Sequence, residues 1–107
     1  MAGSLGDLGG LLRQAQKMQQ RVTELQESLA KRSFEGKAGG GAVRATVTGA
    51  RQIVDIKIEP AVVNPAEVEM LEDLVTAAVK DALRQAEETA SAEMQRITGG
   101  LGLPGMM

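Results

Sequence analysis

The pattern of apolar and polar positions predicts a long amphipathic helix at the start of the chain. Its apolar positions alternate in steps of three and four residues, the a/d spacing of a helix that packs on another helix. The predicted helix runs from Leu8 to Arg32, after a loose start at residues 1–7 in which Asp7 could cap the first turn. The apolar stripe consists of Leu8, Leu11, Ala15, Met18, Val22, Leu25 and Leu29.

This stripe needs a partner helix, and two are available. It can pack on the second long helix of the same chain or on a helix of another copy. The pattern alone leaves both open, and different stretches of the stripe can serve each purpose. We therefore expect its main members to belong to the core or to a dimer interface, namely Leu11, Ala15, Met18, Val22, Leu25 and Leu29.

The middle of the chain predicts a small antiparallel sheet. Residues 33–37 could form a short edge strand, and the glycines at 39–41 then break the chain. Two alternating segments, residues 43–48 and 54–59, place valine, alanine and isoleucine on one face. Gly49 favours a two-residue type II′ turn between these segments, with Thr48 opposite Arg51.

The register of this hairpin decides which charges meet. A two-residue turn places Arg44 opposite Asp55, a favourable cross-strand pair. A four-residue loop would also align the apolar faces but would lose that pair. The sequence therefore favours the tight turn.

A second long helix closes the chain. Asn64, Pro65 and Glu67 occupy the N-cap, N1 and N3 positions of a helix start, so we expect a helix from Pro65 to Ile97. Such a helix is about 50 Å long, against roughly 20 Å for a sheet of short strands, so one end must project beyond the sheet or pack on a second subunit. We expect residues 99–107 to form a glycine-rich, flexible tail. The order predicts an α+β fold, α-β-β-β-α, in one domain spanning residues 1–107.

Composition narrows the function classes. The chain has 107 residues, no His, Cys, Trp or Tyr, and one aromatic residue, Phe34. Without His or Cys, the commonest general base near neutral pH and the usual transition-metal ligands are missing. We therefore expect no enzyme activity, no metal, no cofactor and no small-molecule substrate. An alanine-rich core is thin for a monomer, which favours an oligomer. No apolar run reaches about 20 residues and no signal peptide is evident, so we expect a cytoplasmic location away from membranes.

Charge is distributed unevenly along the chain. Residues 1–58 carry a net charge of +4 and residues 59–107 a net charge of −6. Arg13, Lys17 and Arg21 lie four residues apart, outside the apolar stripe, with no acidic residue between Leu8 and Arg21. A solvated helix face is the ordinary interpretation of such residues. The alternative is a surface for a polyanion, extended by Lys31, Arg32 and Arg96.

Short motifs follow one another along almost the whole chain in a specific order. They are Gln14-Ala15-Gln16-Lys17-Met18-Gln19, Gly39-Gly40-Gly41 before Val43, Gly49, Pro60, Leu71-Glu72-Asp73-Leu74-Val75 followed by Ala77-Ala78, Glu93-Met94, Thr98-Gly99-Gly100 and Leu103-Pro104-Gly105. The order and spacing of these motifs are more specific than any motif alone. Together they resemble the YbaB/EbfC family of small bacterial nucleoid-associated proteins.

The resemblance implies an intertwined homodimer with projecting helices that binds double-stranded DNA in the nucleoid. It also implies nucleoid organisation and gene regulation, and no catalysis. It supplies no DNA-contact motif, so the contact residues rest on the charge argument, and phosphate contacts predict weak sequence preference. The rival hypothesis is a protein-interaction scaffold that uses the apolar stripe and the tail. The acidic second helix indicates that the basic surface belongs to the first helix and its C-terminal flank.

Overall fold

The computed structural model describes residues 2–99, with side chains from Leu8 onward. The chain forms two long helices and three strands, in the predicted α-β-β-β-α order. Short 3-10 turns at Gly39–Gly41, Pro60–Val62 and Pro65–Glu67 connect them. The elements are α1 (Ala2–Lys31), β1 (Ser33–Ala38), β2 (Val43–Thr48), β3 (Ile53–Ile58) and α2 (Val68–Gly99).

The helix ends differ from the sequence predictions. The first helix begins at Ala2, so Asp7 lies inside it and not at its start. Gly9 and Gly10 each disfavour a helix by only about 1 kcal/mol, which does not end a long one. Asn64 does cap the second helix, accepting a hydrogen bond from the Ala66 N–H at 2.9 Å, but the first turn is 3-10 and α2 begins at Val68. Gly99, predicted to begin the tail, is instead the last residue of α2, and the rest of the predicted tail lies outside the described residues.

The sheet is antiparallel in the order β1-β2-β3, and its hairpin register corrects the predicted one. Arg44 lies opposite Lys57, and Asp55 lies opposite Thr46. The predicted cross-strand pairing of Arg44 with Asp55 is therefore wrong. The apolar faces still coincide, because Val43 pairs with Ile58.

A three-residue loop and a bulge cause this shift. The Arg51 N–H donates to the Thr48 carbonyl, and the Thr48 N–H donates to the Gln52 carbonyl, both at 2.9 Å. Arg51 has a φ of 66°, the left-handed residue that completes a three-residue hairpin loop. A further irregularity between Thr46 and Val47 adds one residue on β3. On the side of the bulge away from the turn, the strands therefore pair in the register that the alternative four-residue loop would have given.

The core lies between α2 and the first two strands. Val43, Ala45 and Val47 of β2 are fully buried, as are Ala78 and Ala82 of α2. Alanine on the helix lets its backbone approach the sheet closely. As the composition indicated, a core built from such small side chains buries little apolar surface.

Gly36 of β1 marks the closest approach of sheet and helix. A Cβ at this position would lie 2.2 Å from the Ala78 carbonyl oxygen and 2.3 Å from the Ala82 nitrogen. No side chain fits at such distances, so glycine is required. This contact sets how deeply α2 lies on the sheet.

The strand β3 lies outside this core. The helix α2 covers β1 and β2, and every residue of β3 is exposed. Ile53 is 56% exposed, and Ile56 and Ile58 are each 38% exposed, although all three pair with buried valine or alanine of β2. Among the described residues, the sheet therefore ends in an open edge with an uncovered apolar face, here called the β3 face (Ile53, Ile56 and Ile58).

Within the same residues, neither α1 nor α2 combines the length and the apolar content that a membrane-spanning helix needs.

Candidate nucleic-acid interface

The hairpin turn anchors the C-terminal end of α1. The Gly49 N–H donates to the carbonyls of Leu29 and Arg32, both at 3.1 Å. It thereby gives a hydrogen-bond donor to carbonyls that have no donor within the helix. A Cβ on Gly49 would lie 2.1 Å from the Leu29 oxygen, so only glycine allows this contact. The turn thus fixes the direction in which α1 leaves the sheet. The molecule measures 78 × 25 × 16 Å, which reflects this projection.

The apolar stripe of α1 divides into two parts. Leu29 is buried, and Val22 and Leu25 are half-buried, at the end of α1 nearest the sheet. Leu11 is 59% exposed and Ala15 is also exposed. The C-terminal part of the stripe therefore packs within the chain. The N-terminal part has no cover among the described residues.

Arg13, Lys17 and Arg21 form a basic face on the projecting part of α1. All three side chains are exposed, and they extend over about 12 Å at 1.5 Å per residue. No acidic side chain in residues 8–99 forms an ion pair with any of them. Their charges are therefore available to an external anion.

A shallow cleft joins the basic face to the end of α2. It has a volume of about 190 Å³ and is lined by Gln14, Lys17, Met18, Arg21 and Ile97. Met18 and Ile97 supply apolar contact, while Lys17 and Arg21 supply positive charge. The stripe and the basic face thus meet beside the last turn of α2. Arg96 is exposed next to Ile97 in that turn.

Arg32 forms an ion pair that links the end of α1 to α2. Its Nη1 lies 2.5 Å from Glu93 Oε2, and its guanidinium carbon lies 5.8 Å from the centre of the Phe34 ring. These contacts tie the end of α1 to α2. The sequence prediction that grouped Arg32 with the free cations missed them, because Glu93 follows 61 residues later and nothing local announces the pairing. Lys31, by contrast, is exposed.

Part of the acidic charge of α2 also serves the fold. The Asp81 carboxylate accepts the Lys37 backbone N–H at 3.0 Å and pairs with Arg84. These two donors hold the pKa of Asp81 below its usual value, since both favour the charged form. Gln85 donates to the Glu35 carbonyl at 2.7 Å. This region of α2 therefore attaches the helix to β1.

Comparison with known proteins gives a consistent family assignment. The model of the YbaB/EbfC DNA-binding family matches residues 5–101. A nucleoid-associated protein of Acetivibrio thermocellus is 50% identical, over 94% of this chain and 90% of the relative. A nucleoid-associated protein of Clostridium acetobutylicum is 46% identical, again over 94% of this chain and 90% of the relative.

The fold has a counterpart among solved structures. The crystal structure of an uncharacterised protein from Helicobacter pylori matches with a TM-score of 0.68. The match covers 85% of this chain and 92% of that protein, at 24% sequence identity. At this identity the likeness concerns the fold alone.

Proposed function

The chain belongs to the YbaB/EbfC DNA-binding family, and from that premise we propose that it binds double-stranded DNA as a homodimer through the basic face of α1. The observation that carries the proposal is the exposure of Arg13, Lys17 and Arg21 on a projecting helix, with no ion pair to any acidic side chain of residues 8–99. Lys31, at the C-terminal end of α1, and Arg96, in the last turn of α2, add further positive charge. Arg32 supports the surface indirectly, by fixing α1 against α2.

Phosphate contact is the chemistry that this face favours. Lysine and arginine on a helix neutralise phosphates without reading bases, so the sequence preference is weak. The relatives are named nucleoid-associated proteins, and weak preference suits a protein distributed over the nucleoid. We propose that this protein is also located in the nucleoid of the cytoplasm and helps to organise its DNA. Effects on gene expression follow from its binding to the DNA of the regulated genes.

The homodimer is supported by the uncovered β3 face. Ile53, Ile56 and Ile58 expose apolar side chains beside an open strand edge, and open edges pair readily with another strand. A second copy placed there buries the isoleucines and leaves both α1 helices projecting. The exposed part of the stripe, including Leu11 and Ala15, adds a further apolar surface that a second copy can cover.

DNA binding is tested by a salt titration of the dissociation constant. Six phosphate contacts by this face, three from each subunit, contribute about −5 to the log–log slope. Replacing Arg13, Lys17 and Arg21 with Gln removes this contribution and weakens binding at low salt. Replacing Gln16 and Gln20 of the same helix with Ala is the matched control and leaves both unchanged. Binding of the triple variant with the wild-type slope would contradict the proposal.

The dimer is tested by the solution mass of an Ile56→Glu variant. A carboxylate on the β3 face opposes burial, so the mass falls from that of two chains to that of one. The control variant carries the same carboxylate at exposed Ser28 of α1 and keeps the mass of two chains. Circular dichroism verifies that both variants keep their helices. A wild-type protein with the mass of one chain would refute the homodimer.

A further inference from the structure

A row of three cations crosses the sheet on the face opposite α2. The strand registers place Lys37 opposite Arg44, and Arg44 opposite Lys57. Arg44 alternates along β2 with buried Val43 and Ala45, so the row faces solvent. Directly opposite side chains on neighbouring strands lie about 5 Å apart at Cβ. We call Lys37, Arg44 and Lys57 the sheet row.

The sheet row is unfavourable for the isolated chain. Like charges directly opposite each other repel, and the alternative register would have paired Arg44 with Asp55. Lys37 Nζ lies 3.7 Å from Glu35 Oε1, which offsets one of the charges. On the same face, Asp55 lies two positions from Lys57 along β3 and diagonal to Arg44, and Glu59 follows the end of β3. Among residues 8–99, no acidic side chain forms an ion pair with Arg44 or Lys57.

An external anion would relieve this repulsion. Arg44, in the middle of the row, has a cation on each side. Its guanidinium carries five donors and binds a phosphate group through two of them at once. We infer that the sheet row is a second contact for the DNA phosphate backbone, separate from the basic face of α1.

The shape of the surface favours a linear polyanion over a small anion. The row extends over two strand spacings, about 10 Å, across an exposed part of the sheet. The described cleft lies elsewhere, between α1 and α2. A flat row of cations contacts successive phosphates of a backbone, whereas a small anion needs an enclosing site.

The position of the row makes it independent of α1. Arg44 lies near the start of β2, whereas α1 ends against Gly49, beyond the other end of that strand. Six residues of strand separate these ends by roughly 20 Å. A duplex that contacts both surfaces therefore follows the body of the molecule as well as α1. This inference rests on the proposed DNA binding.

The test compares the salt dependence of DNA binding in two variants of the full chain. The row variant carries Lys37→Gln, Arg44→Gln and Lys57→Gln, and the α1 variant carries Arg13→Gln, Lys17→Gln and Arg21→Gln. The probe is a duplex of about 40 base pairs. In a dimer, each cation lost reduces the magnitude of the slope by about 2, so the row variant loses up to about 5. Lys80→Gln, an exposed charge on α2, is the matched control and retains the wild-type slope.

Single substitutions separate charge from structure. Arg44→Gln weakens binding and reduces the magnitude of the slope by about 2, whereas Arg44→Lys keeps the charge and retains the slope. Circular dichroism verifies the fold of each variant. Because the row repels itself, its neutralisation does not lower the thermal midpoint measured without DNA.

The outcomes distinguish this inference from the proposed function. Weaker binding by both variants supports both surfaces. A row variant with the wild-type slope, beside an α1 variant that has lost binding, overturns the sheet row alone. Loss of binding in the row variant only supports the sheet row and overturns the role of α1. Wild-type binding by both variants overturns both.

Discussion

The contact between Gly49 and the end of α1 predicts a large effect for a single methyl group. In a Gly49→Ala variant the new Cβ lies 2.1 Å from the Leu29 oxygen and 2.6 Å from the Leu29 carbonyl carbon. Both are backbone atoms, so no side-chain rotation relieves the overlap. The turn and the helix must separate by about 1 Å, because Cβ contacts shorter than 3.0 Å essentially do not occur.

The cost has two parts. Overpacking a tight contact costs about 1–3 kcal/mol. Separation also stretches the two hydrogen bonds from the Gly49 N–H to Leu29 and Arg32, each contributing about 0.5–1.5 kcal/mol net. We expect the free energy of unfolding to fall by about 2–4 kcal/mol, a large share of the 5–15 kcal/mol typical of domains.

Urea unfolding at one fixed protein concentration measures this loss. With an m-value of about 1–3 kcal/mol/M, the midpoint falls by roughly 1–2 M. Gly10→Ala is the control, because a Cβ there meets nothing within 4 Å, and it raises stability by about 0.5–1 kcal/mol. A Gly49→Ala midpoint equal to that of wild type would show that the turn does not hold α1.

Three further predictions follow from other contacts. Gly36→Ala forces its Cβ against the Ala78 carbonyl oxygen and should abolish the cooperative thermal transition seen by circular dichroism; a normal transition would refute the close approach of β1 to α2. Asn64→Ala removes the cap on Ala66 and should cost about 0.5–2 kcal/mol, seen as a thermal midpoint lower by several degrees. The lowered pKa of Asp81 means that its contribution to stability is present above the unfolded pKa of about 3.9 and is lost as the pH falls through the folded value. The difference in thermal midpoint between wild type and Asp81→Asn should therefore narrow as the pH falls from 6 to about 3.

Local patterns determined the elements of this protein. The heptad spacing on α1, the alternation in β2 and β3, and the Asn64 cap all act between residues close in sequence, and each produced the predicted element. The limits of this reasoning are visible at the ends. The helix starts at Ala2 because the local signals for a start at Leu8 are weak beside the stability of a continuing helix.

The tertiary structure decided which surfaces these elements present. The three-residue loop and the bulge after Thr46 together shifted the register by two residues, which placed Arg44 opposite Lys57 rather than Asp55. The ion pair of Arg32 with Glu93 removed one cation from the candidate surface. The sequence by itself thus determined which helices and strands form and which side chains carry charge. Whether a charge is free or paired, and whether an apolar face is covered, depended on contacts between distant residues that no local pattern encodes.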